Sequence, residues 1–254
     1  MAKSIKNTHK ELKERWETVK KDLNEDSSID NWNEVYDIFT DRIENRYFRP
    51  SESLRDHISS IDGFGFSMVT ILCTLIEFLQ STIDGRFEKR SNEVEYRDKY
   101  TLLLETGRLK FYSNNGCNKF VWFLENLHSG FKDKPNSDSN HFNSVANEFY
   151  SSVRCALLHD ACTRNNWIIK EKSIGGLIFD NSNREEKILY RNNFYDRIRD
   201  FVKIDMKSKF EKNDSYVTSL KLEENFRKNL LKKMDVIFET ANYSKEEGFP
   251  FWWN

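Results

Sequence analysis

Residues that end or break helices are scarce in this chain. Its 254 residues include only 9 Gly and 3 Pro, too few for a fold rich in tight turns. Apolar residues recur instead at helical spacing, beginning with Leu12, Trp16, Val19 and Leu23. The sequence therefore predicts a mainly α fold, built as a helical bundle.

The most apolar segment runs from Phe64 to Ile83. It contains Glu77 and several hydroxyl groups, which favour a buried core helix over a membrane span. Residues 1–23 are charged and amphipathic, unlike a signal peptide, and the four Cys form no CxxC pair. We therefore expect a cytoplasmic protein with reduced thiols and no membrane contact.

Three regions are predicted along the chain. Residues 1–63 form an N-terminal helical extension in which Pro50 interrupts the second helix, and residues 64–240 form the main helical domain. Within the domain we expect helices at 94–112 and 118–128, a loop at 129–140 and two closing helices. Near 167–190, "WIIKEK" and "LIFD" flank "SIGG" and predict a small β-hairpin insert, possibly joined by "KILY".

Residues 241–254 form an aromatic C-terminal tail. Four large aromatics fall within its last six residues, namely Phe249, Phe251, Trp252 and Trp253. Exposed, they would create an apolar patch that soluble monomers avoid. We expect them to dock on the core of the chain or on a partner subunit, where Trp often anchors interfaces.

One stretch carries residues suited to phosphate chemistry. In "FYSSVRCALLHDACTRNNWII", Arg154 and His159 lie inside an otherwise apolar run that we expect to begin near Asn140 as a helix. Arginine offers a planar fork of donors that matches a phosphate, and histidine can give or take a proton near neutral pH. An ideal helix separates the two residues by about 140°. Unwinding near Ala161 or a second copy of the motif would help to bring them together.

This stretch resembles the R-x4-6-H signature of the HEPN superfamily (higher eukaryotes and prokaryotes nucleotide-binding domains). The resemblance extends from about residue 64 to 240, through the apolar helix, the motif helix, "RNNWII" and the closing "NFRKNLLKKMD". It implies a metal-independent endoribonuclease of helical-bundle fold, usually a dimer with two motifs at one cleft. The family's Arg and His correspond to Arg154 and His159. Cys155 departs from the polar residue that often follows the arginine.

The resemblance implies a toxic effector of a bacterial defence or toxin system. Its substrate would be RNA, cleaved by attack of the 2′-hydroxyl without a cofactor or metal. Its partners would be a second copy of the chain and, in such a system, an antitoxin or defence-system protein. The alternatives are a non-catalytic HEPN-like module that binds nucleic acid or a partner protein, and a purely structural adaptor. Residues 154–234 contain 18 Lys and Arg against 12 Asp and Glu, which favours the first two readings.

Several neighbours of the motif are candidate site residues. Arg164 and Asn165, with Asn166, follow the motif and could either contact a phosphate or cap the turn. Tyr150 could pack beside Arg154 or donate to substrate. Glu77 could be a satisfied internal acid, or could orient Arg154 through a charge-assisted bond.

The same stretch also allows a zinc site. Cys155, His159 and Cys162 lie on one predicted helix face, and Cys117, His128 or His141 could supply a fourth ligand. One helix rarely supplies three ligands of a structural zinc site, so packing of the small Cys side chains is the simpler reading.

Overall fold

The computed structural model describes seven ranges of the chain, which are residues 9–24, 26–56, 64–84, 115–132, 144–183, 186–217 and 223–238. The predicted helix at 94–112, much of the loop at 129–140, and the aromatic tail lie outside these ranges. Within them the fold is mainly helical with a small amount of sheet, as predicted.

The described α-helices are α1 (His9–Lys21), α2 (Ile29–Ile43), α3 (Arg49–Asp56), α4 (Phe64–Ile83), α5 (Asn115–Leu127), α6 (Val145–Phe149), α7 (Ala156–Asp160), α8 (Arg191–Asp200), α9 (Lys207–Glu211) and α10 (Phe226–Phe238). Three π-helical turns join consecutive helices, namely π1 (Glu44–Phe48), π2 (Tyr150–Cys155) and π3 (Phe201–Met206). A single 3-10 turn, Ser129–Lys132, follows α5.

Pro50 does not interrupt the N-terminal region, contrary to the prediction. Helix α2 continues through π1 into α3, with Glu44 and Arg49 both in the right-handed helical conformation. Proline clashes with the carbonyl four residues before it and cannot donate a backbone hydrogen bond. The π turn directly before Pro50 widens the helix by one residue, and this accommodates the ring without ending the helix.

The strands form a small mixed sheet rather than the predicted hairpin. Strands β1 (Trp167–Lys170), β2 (Phe179–Asp180) and β3 (Lys187–Tyr190) are arranged with β3 in the centre. β3 pairs with β1 in parallel and with β2 antiparallel, so the two strands around "SIGG" do not pair with each other. The loop that connects β1 to β2 is too long for a tight turn. The "KILY" segment, which forms β3, lies between these two strands.

A second, two-stranded sheet consists of β4 (Ser215–Val217) and β5 (Glu223–Asn225) and leads into α10. This antiparallel pair does form a hairpin. It lies outside the range in which the sequence predicted one.

Helix α4 is the centre of the core. It contacts α3, α5, α8 and α10, and Val69, Leu72 and Leu79 are fully buried. By length and composition α4 could cross a membrane, but 56% of its most apolar window is buried inside the protein. The prediction of a core helix is therefore confirmed by its packing.

The N-terminal helices share this core. Trp16 of α1 is fully buried and donates from Nε1 to Asp235 of α10 at 3.0 Å, while Lys20 binds the same carboxylate oxygen at 2.6 Å. Tyr36 of α2 donates to the backbone carbonyl of Val202 at 2.5 Å. The proposed boundary at residue 63 lies outside the described ranges, but the helices on either side of it pack into one apolar cluster.

Candidate functional site

The motif helix is a composite of α6, π2 and α7. Ser144 caps its N-terminus, so the helix begins at Val145 and not near Asn140. Phe149, Val153 and Leu157 are buried along one face, as the periodicity predicts. The burial fixes this face against the core, with Arg154 partly exposed and His159 fully on the surface.

The π turn changes the angle between the two motif residues. Arg154 lies within π2 and His159 within α7. A π turn bonds residues five apart and therefore rotates each residue by less than the 100° of an α-helix. The angular separation of Arg154 and His159 is thus smaller than the about 140° of an ideal helix.

Arg154 is held by Glu77 of α4. Its Nε and Nη2 atoms both donate to Oε1 of Glu77, at 2.7 and 2.6 Å, and Nη1 lies 3.8 Å from the sulfur of Cys155. The two side chains are 18% and 33% exposed. The guanidinium is therefore fixed at the protein surface, with one edge on Glu77.

Tyr150 packs beside this arginine. The carbon of the Arg154 guanidinium lies 5.3 Å from the centre of the Tyr150 ring, which itself lies edge-on to Phe120. Burial lowers the pKa of Arg154, but the charge of Glu77, Tyr150 and the hydrogen bonds outweigh it and raise that pKa above its usual value. The arginine therefore carries its charge at every working pH.

His159 is exposed at the end of the helix. It makes no hydrogen bond or ion pair with any residue in the described part of the chain. The helix stops one residue later, because Ala161 adopts the left-handed conformation with φ of 53°. The imidazole is thus presented to solvent on a defined turn. The helix unwinds at Ala161, which is one of the two possibilities that the sequence left open.

Arg164 and Asn165 help to fold the chain back onto the motif helix. The backbone N–H of Arg164 donates to the carbonyl of Ser152 at 2.8 Å, and the amide of Asn165 donates to the Ser152 hydroxyl at 2.7 Å. The Arg164 guanidinium binds Asp160 at 2.5 Å. Asn165 and Asn166 both have positive φ, which Asn tolerates better than most residues. These contacts match the turn-capping alternative.

The described residues form no group of three His, Cys, Asp or Glu side chains that could hold a metal ion. Cys155 lies beside Arg154, whereas Cys162 follows the left-handed residue that ends the helix. Cys155, His159 and Cys162 therefore do not converge as the zinc alternative requires. The side chain of Cys117 and His141 lie outside the described part.

Ion pairs neutralise part of the basic segment. Arg197 binds Asp205, and Arg199 and Lys203 reach Glu44, which belongs to the acidic N-terminal half of the chain. The excess of Lys and Arg in residues 154–234 is therefore partly balanced across the fold. It is a weaker argument for nucleic-acid binding than the sequence alone suggests.

A buried ion pair fixes the motif helix to the sheet, and sequence reasoning missed it. Glu148 of α6 binds Lys187 of β3, with side chains only 1% and 5% exposed. The second carboxylate oxygen of Glu148 has no hydrogen-bond partner in the described part of the chain. A charged residue in the apolar run before the motif was the available signal, because buried carboxylates need a cation.

A surface groove of about 750 Å³ contains no residue of the motif helix among its lining residues. It runs between α1 and α2 and is lined by Glu11, Glu14, Asp22 and Glu34 together with Arg15. Its acidic lining would repel a phosphate backbone. The chemistry of the Arg154 surface, and not the size of this groove, therefore identifies the candidate site.

Comparisons of the chain with protein-family models, with curated proteins and with solved structures find no match.

Proposed function

We propose that the chain is a HEPN-type ribonuclease that cleaves RNA without a metal, acting in the cytoplasm as the toxic effector of a defence or toxin system. The observation that carries the proposal is that one helix holds a largely buried arginine and an exposed histidine five residues apart. Arg154 is anchored by Glu77, and His159 is exposed. A largely buried arginine is uncommon in a purely structural helix.

The chemistry follows from the two side chains. Arg154 would hold the scissile phosphate through the donors that Glu77 leaves available, chiefly those of Nη1. His159 would take the proton of the 2′-hydroxyl or donate one to the leaving 5′-oxygen. The 2′-oxygen would bond to phosphorus as the bond to the 5′-oxygen breaks, which gives a 2′,3′-cyclic phosphate and a 5′-hydroxyl.

Glu77 would act as a positioning residue. A charge-assisted pair fixes the plane and direction of a guanidinium, which lowers the entropy lost when it binds a phosphate. It also reduces the positive charge that the phosphate meets. In this role Nη1 of Arg154 would bind the phosphate of the substrate. It would give up its long contact with the sulfur of Cys155, at 3.8 Å, when the substrate binds.

A homodimer would complete the site. Leu158, next to His159, is 46% exposed. An exposed apolar residue beside a polar motif is typical of a protein interface. A two-fold axis near these residues would bring the second copy of Arg154 and His159 toward the same cleft.

The alternative is a non-catalytic HEPN-like module that binds nucleic acid or a partner protein. One observation favours it, because the Nε–Nη2 edge of Arg154 is already satisfied by Glu77. In that case the pair would join α4 to the motif helix, and His159 would be a surface residue without a chemical role.

The test is incubation of purified chain with total RNA in EDTA, followed by analysis of fragment ends. We expect cyclic phosphate and 5′-hydroxyl ends, and no cleavage of DNA. His159→Ala should lower the rate by about 10²–10⁴-fold, as loss of a general acid or base commonly does. Arg154→Lys should also lose cleavage activity, because lysine keeps the positive charge but lacks the planar, forked donors of the guanidinium.

His128→Ala is the matched control. His128 is also exposed and lies on the turn after α5, outside the motif helix. Its loss should leave cleavage unchanged, which separates the chemistry of His159 from a general effect of removing a histidine. Cleavage by His159→Ala at the wild-type rate would reject the enzyme proposal in favour of the binding module.

A further inference from the structure

A second arginine lies in the interior, without a hydrogen-bond partner among the residues that the structure describes. Arg191, the first residue of α8, is 7% exposed, and its Nε and Nη2 atoms are buried without a hydrogen-bond acceptor. Buried guanidinium groups in proteins are normally paired, because an unpaired buried charge is strongly destabilising. Among the residues that the structure describes, none supplies the missing anion.

The surroundings of Arg191 offset its charge only in part. Glu171 is the acidic residue whose charge acts on it, but this side chain is exposed and forms no ion pair with it within the described ranges. Burial lowers the pKa of Arg191, and the charge of Glu171 only partly opposes this effect. The environment therefore disfavours the bare cation.

Two helix N-termini converge on this guanidinium. A Cβ added to Gly65, in the first turn of α4, would lie 3.1 Å from Nη1 of Arg191. Arg191 itself opens α8, which has no side-chain cap and continues through π3 and α9 to Glu211. Helix N-termini carry partial positive charge, so both favour an anion at this position.

We propose that Arg191, at the meeting of the α4 and α8 N-termini, is a binding site for a phosphate group. The planar fork of donors matches two phosphate oxygens, and the ion would supply the acceptors that the fold lacks. Nη1 packs closely against Gly65, where a Cβ would approach it to 3.1 Å, so the side chain must rotate away from this contact to present Nε and Nη2 to an ion that arrives from the surface.

The site is distinct from the Arg154 surface. Gly65 and Glu77 are twelve residues apart on the straight helix α4, which places Arg191 about 18 Å along its axis from the Glu77–Arg154 pair. The phosphate could belong to a nucleic-acid strand that continues past the motif, or to a free nucleotide or inorganic ion. The chemistry recognised is the same in each case.

The experiment measures thermal unfolding of the full chain with inorganic phosphate against chloride at equal ionic strength. A ligand that binds only the folded state raises the melting temperature. We expect phosphate to raise the melting temperature of the wild type and to leave the melting temperature of Arg191→Met unchanged. Without phosphate, Arg191→Met should be at least as stable as the wild type, because it removes an unpaired buried charge.

Arg227→Met is the matched control. Burial also lowers the pKa of Arg227, but this guanidinium donates to the backbone carbonyls of Phe210 and Glu211. Its loss should leave the phosphate response intact. Gly65→Ala gives a second variant that keeps the arginine, and its added methyl should weaken phosphate binding, measured by calorimetry.

Two further ligands distinguish a nucleic-acid strand from a free ligand as the source of the phosphate. They are adenosine 5′-monophosphate and a 2′-O-methyl RNA oligomer, which 2′-hydroxyl attack cannot cleave. A loss of oligomer affinity of about tenfold or more in Arg191→Met would assign the site to a strand. A loss confined to the mononucleotide and inorganic phosphate would assign it to a free ligand. Neither measurement requires cleavage, so both are independent of the ribonuclease proposal. An equal phosphate response in wild type and Arg191→Met, or none in either, would overturn the inference.

Discussion

Glu77 and Arg154 meet through a single carboxylate oxygen. Oε1 of Glu77 accepts from both Nε and Nη2 of Arg154, at 2.7 and 2.6 Å. Glu77 is the charged residue of an otherwise apolar α4, and Arg154 lies in the middle of the motif helix. The pair therefore ties the central helix α4 to the motif helix at the position where the motif begins.

Removing this carboxylate should affect activity more than stability. Glu77→Gln keeps one acceptor and, because both side chains are partly exposed, should lower the free energy of unfolding by only about 1 kcal/mol. If Glu77 positions Arg154 for substrate, the same variant should lower the cleavage rate and raise KM. Urea denaturation and cleavage kinetics measure the two effects.

A purely structural pair would give another pattern. Glu77→Gln would then change stability with no change in KM or rate. Glu77→Asp restores the charge but shortens the reach, so a positioning role predicts partial recovery of KM in this variant. Equal kinetics in wild type and both variants would remove Glu77 from the mechanism.

The interior pair of Glu148 and Lys187 should behave non-additively. Breaking a buried ion pair from one side leaves an unpaired charge, and we expect Lys187→Met alone to cost about 3–5 kcal/mol. The double variant Glu148→Leu with Lys187→Met removes both charges and should be more stable than Lys187→Met alone. A double-mutant cycle by chemical denaturation measures the coupling, and additive effects would mean that the two charges do not interact.

The sequence predicted the helices because their buried apolar residues recur at a regular helical spacing. Val145, Phe149, Val153 and Leu157 needed only helical periodicity to be assigned to the core. The pairing of Glu77 with Arg154 was one of two alternatives, suggested by two isolated charges in apolar runs. Such charges are informative because the interior must neutralise them.

The features that were missed depend on distant parts of the chain. The place of β3 between β1 and β2 follows from tertiary packing, which two short β-rich runs do not encode. The helix through Pro50 depends on a π turn that adds a single residue. Arg191 was missed because "YRNNFY" reads as an ordinary helix start, and only the packing of Gly65 against it shows the buried charge.

The N-terminal helices should be required for folding of the rest. Trp16 is fully buried and bonded to Asp235, so Trp16→Ala should lower the free energy of unfolding by about 3–5 kcal/mol.

Removal of residues 1–24 should leave α10 with an exposed apolar face and a buried carboxylate without its partners. Circular dichroism of the truncated chain should show loss of cooperative melting; a sharp transition near the wild-type temperature would establish 1–63 as a separable extension.

Ala161 offers a way to separate the stability of the motif helix from its chemistry. Its left-handed conformation, with φ of 53° and ψ of 31°, is unfavourable for a residue with a Cβ by about 1–2 kcal/mol. Glycine removes this strain but loses about 0.4–1 kcal/mol through the greater entropy of the unfolded chain. Ala161→Gly should therefore be more stable than wild type by roughly 0.5–1 kcal/mol, measured by urea denaturation.

The same substitution tests whether the turn directs His159. Asn165→Ala is the companion variant. It removes the hydrogen bond to Ser152 that holds the turn. It also places alanine at a position of positive φ, a conformation that alanine tolerates less well than asparagine. It should lower stability by about 1–2 kcal/mol. If the turn positions the imidazole for catalysis, cleavage should be retained in Ala161→Gly and reduced in Asn165→Ala, at a temperature where both are folded. Equal cleavage by the two variants would show that His159 acts without this constraint, or does not act at all.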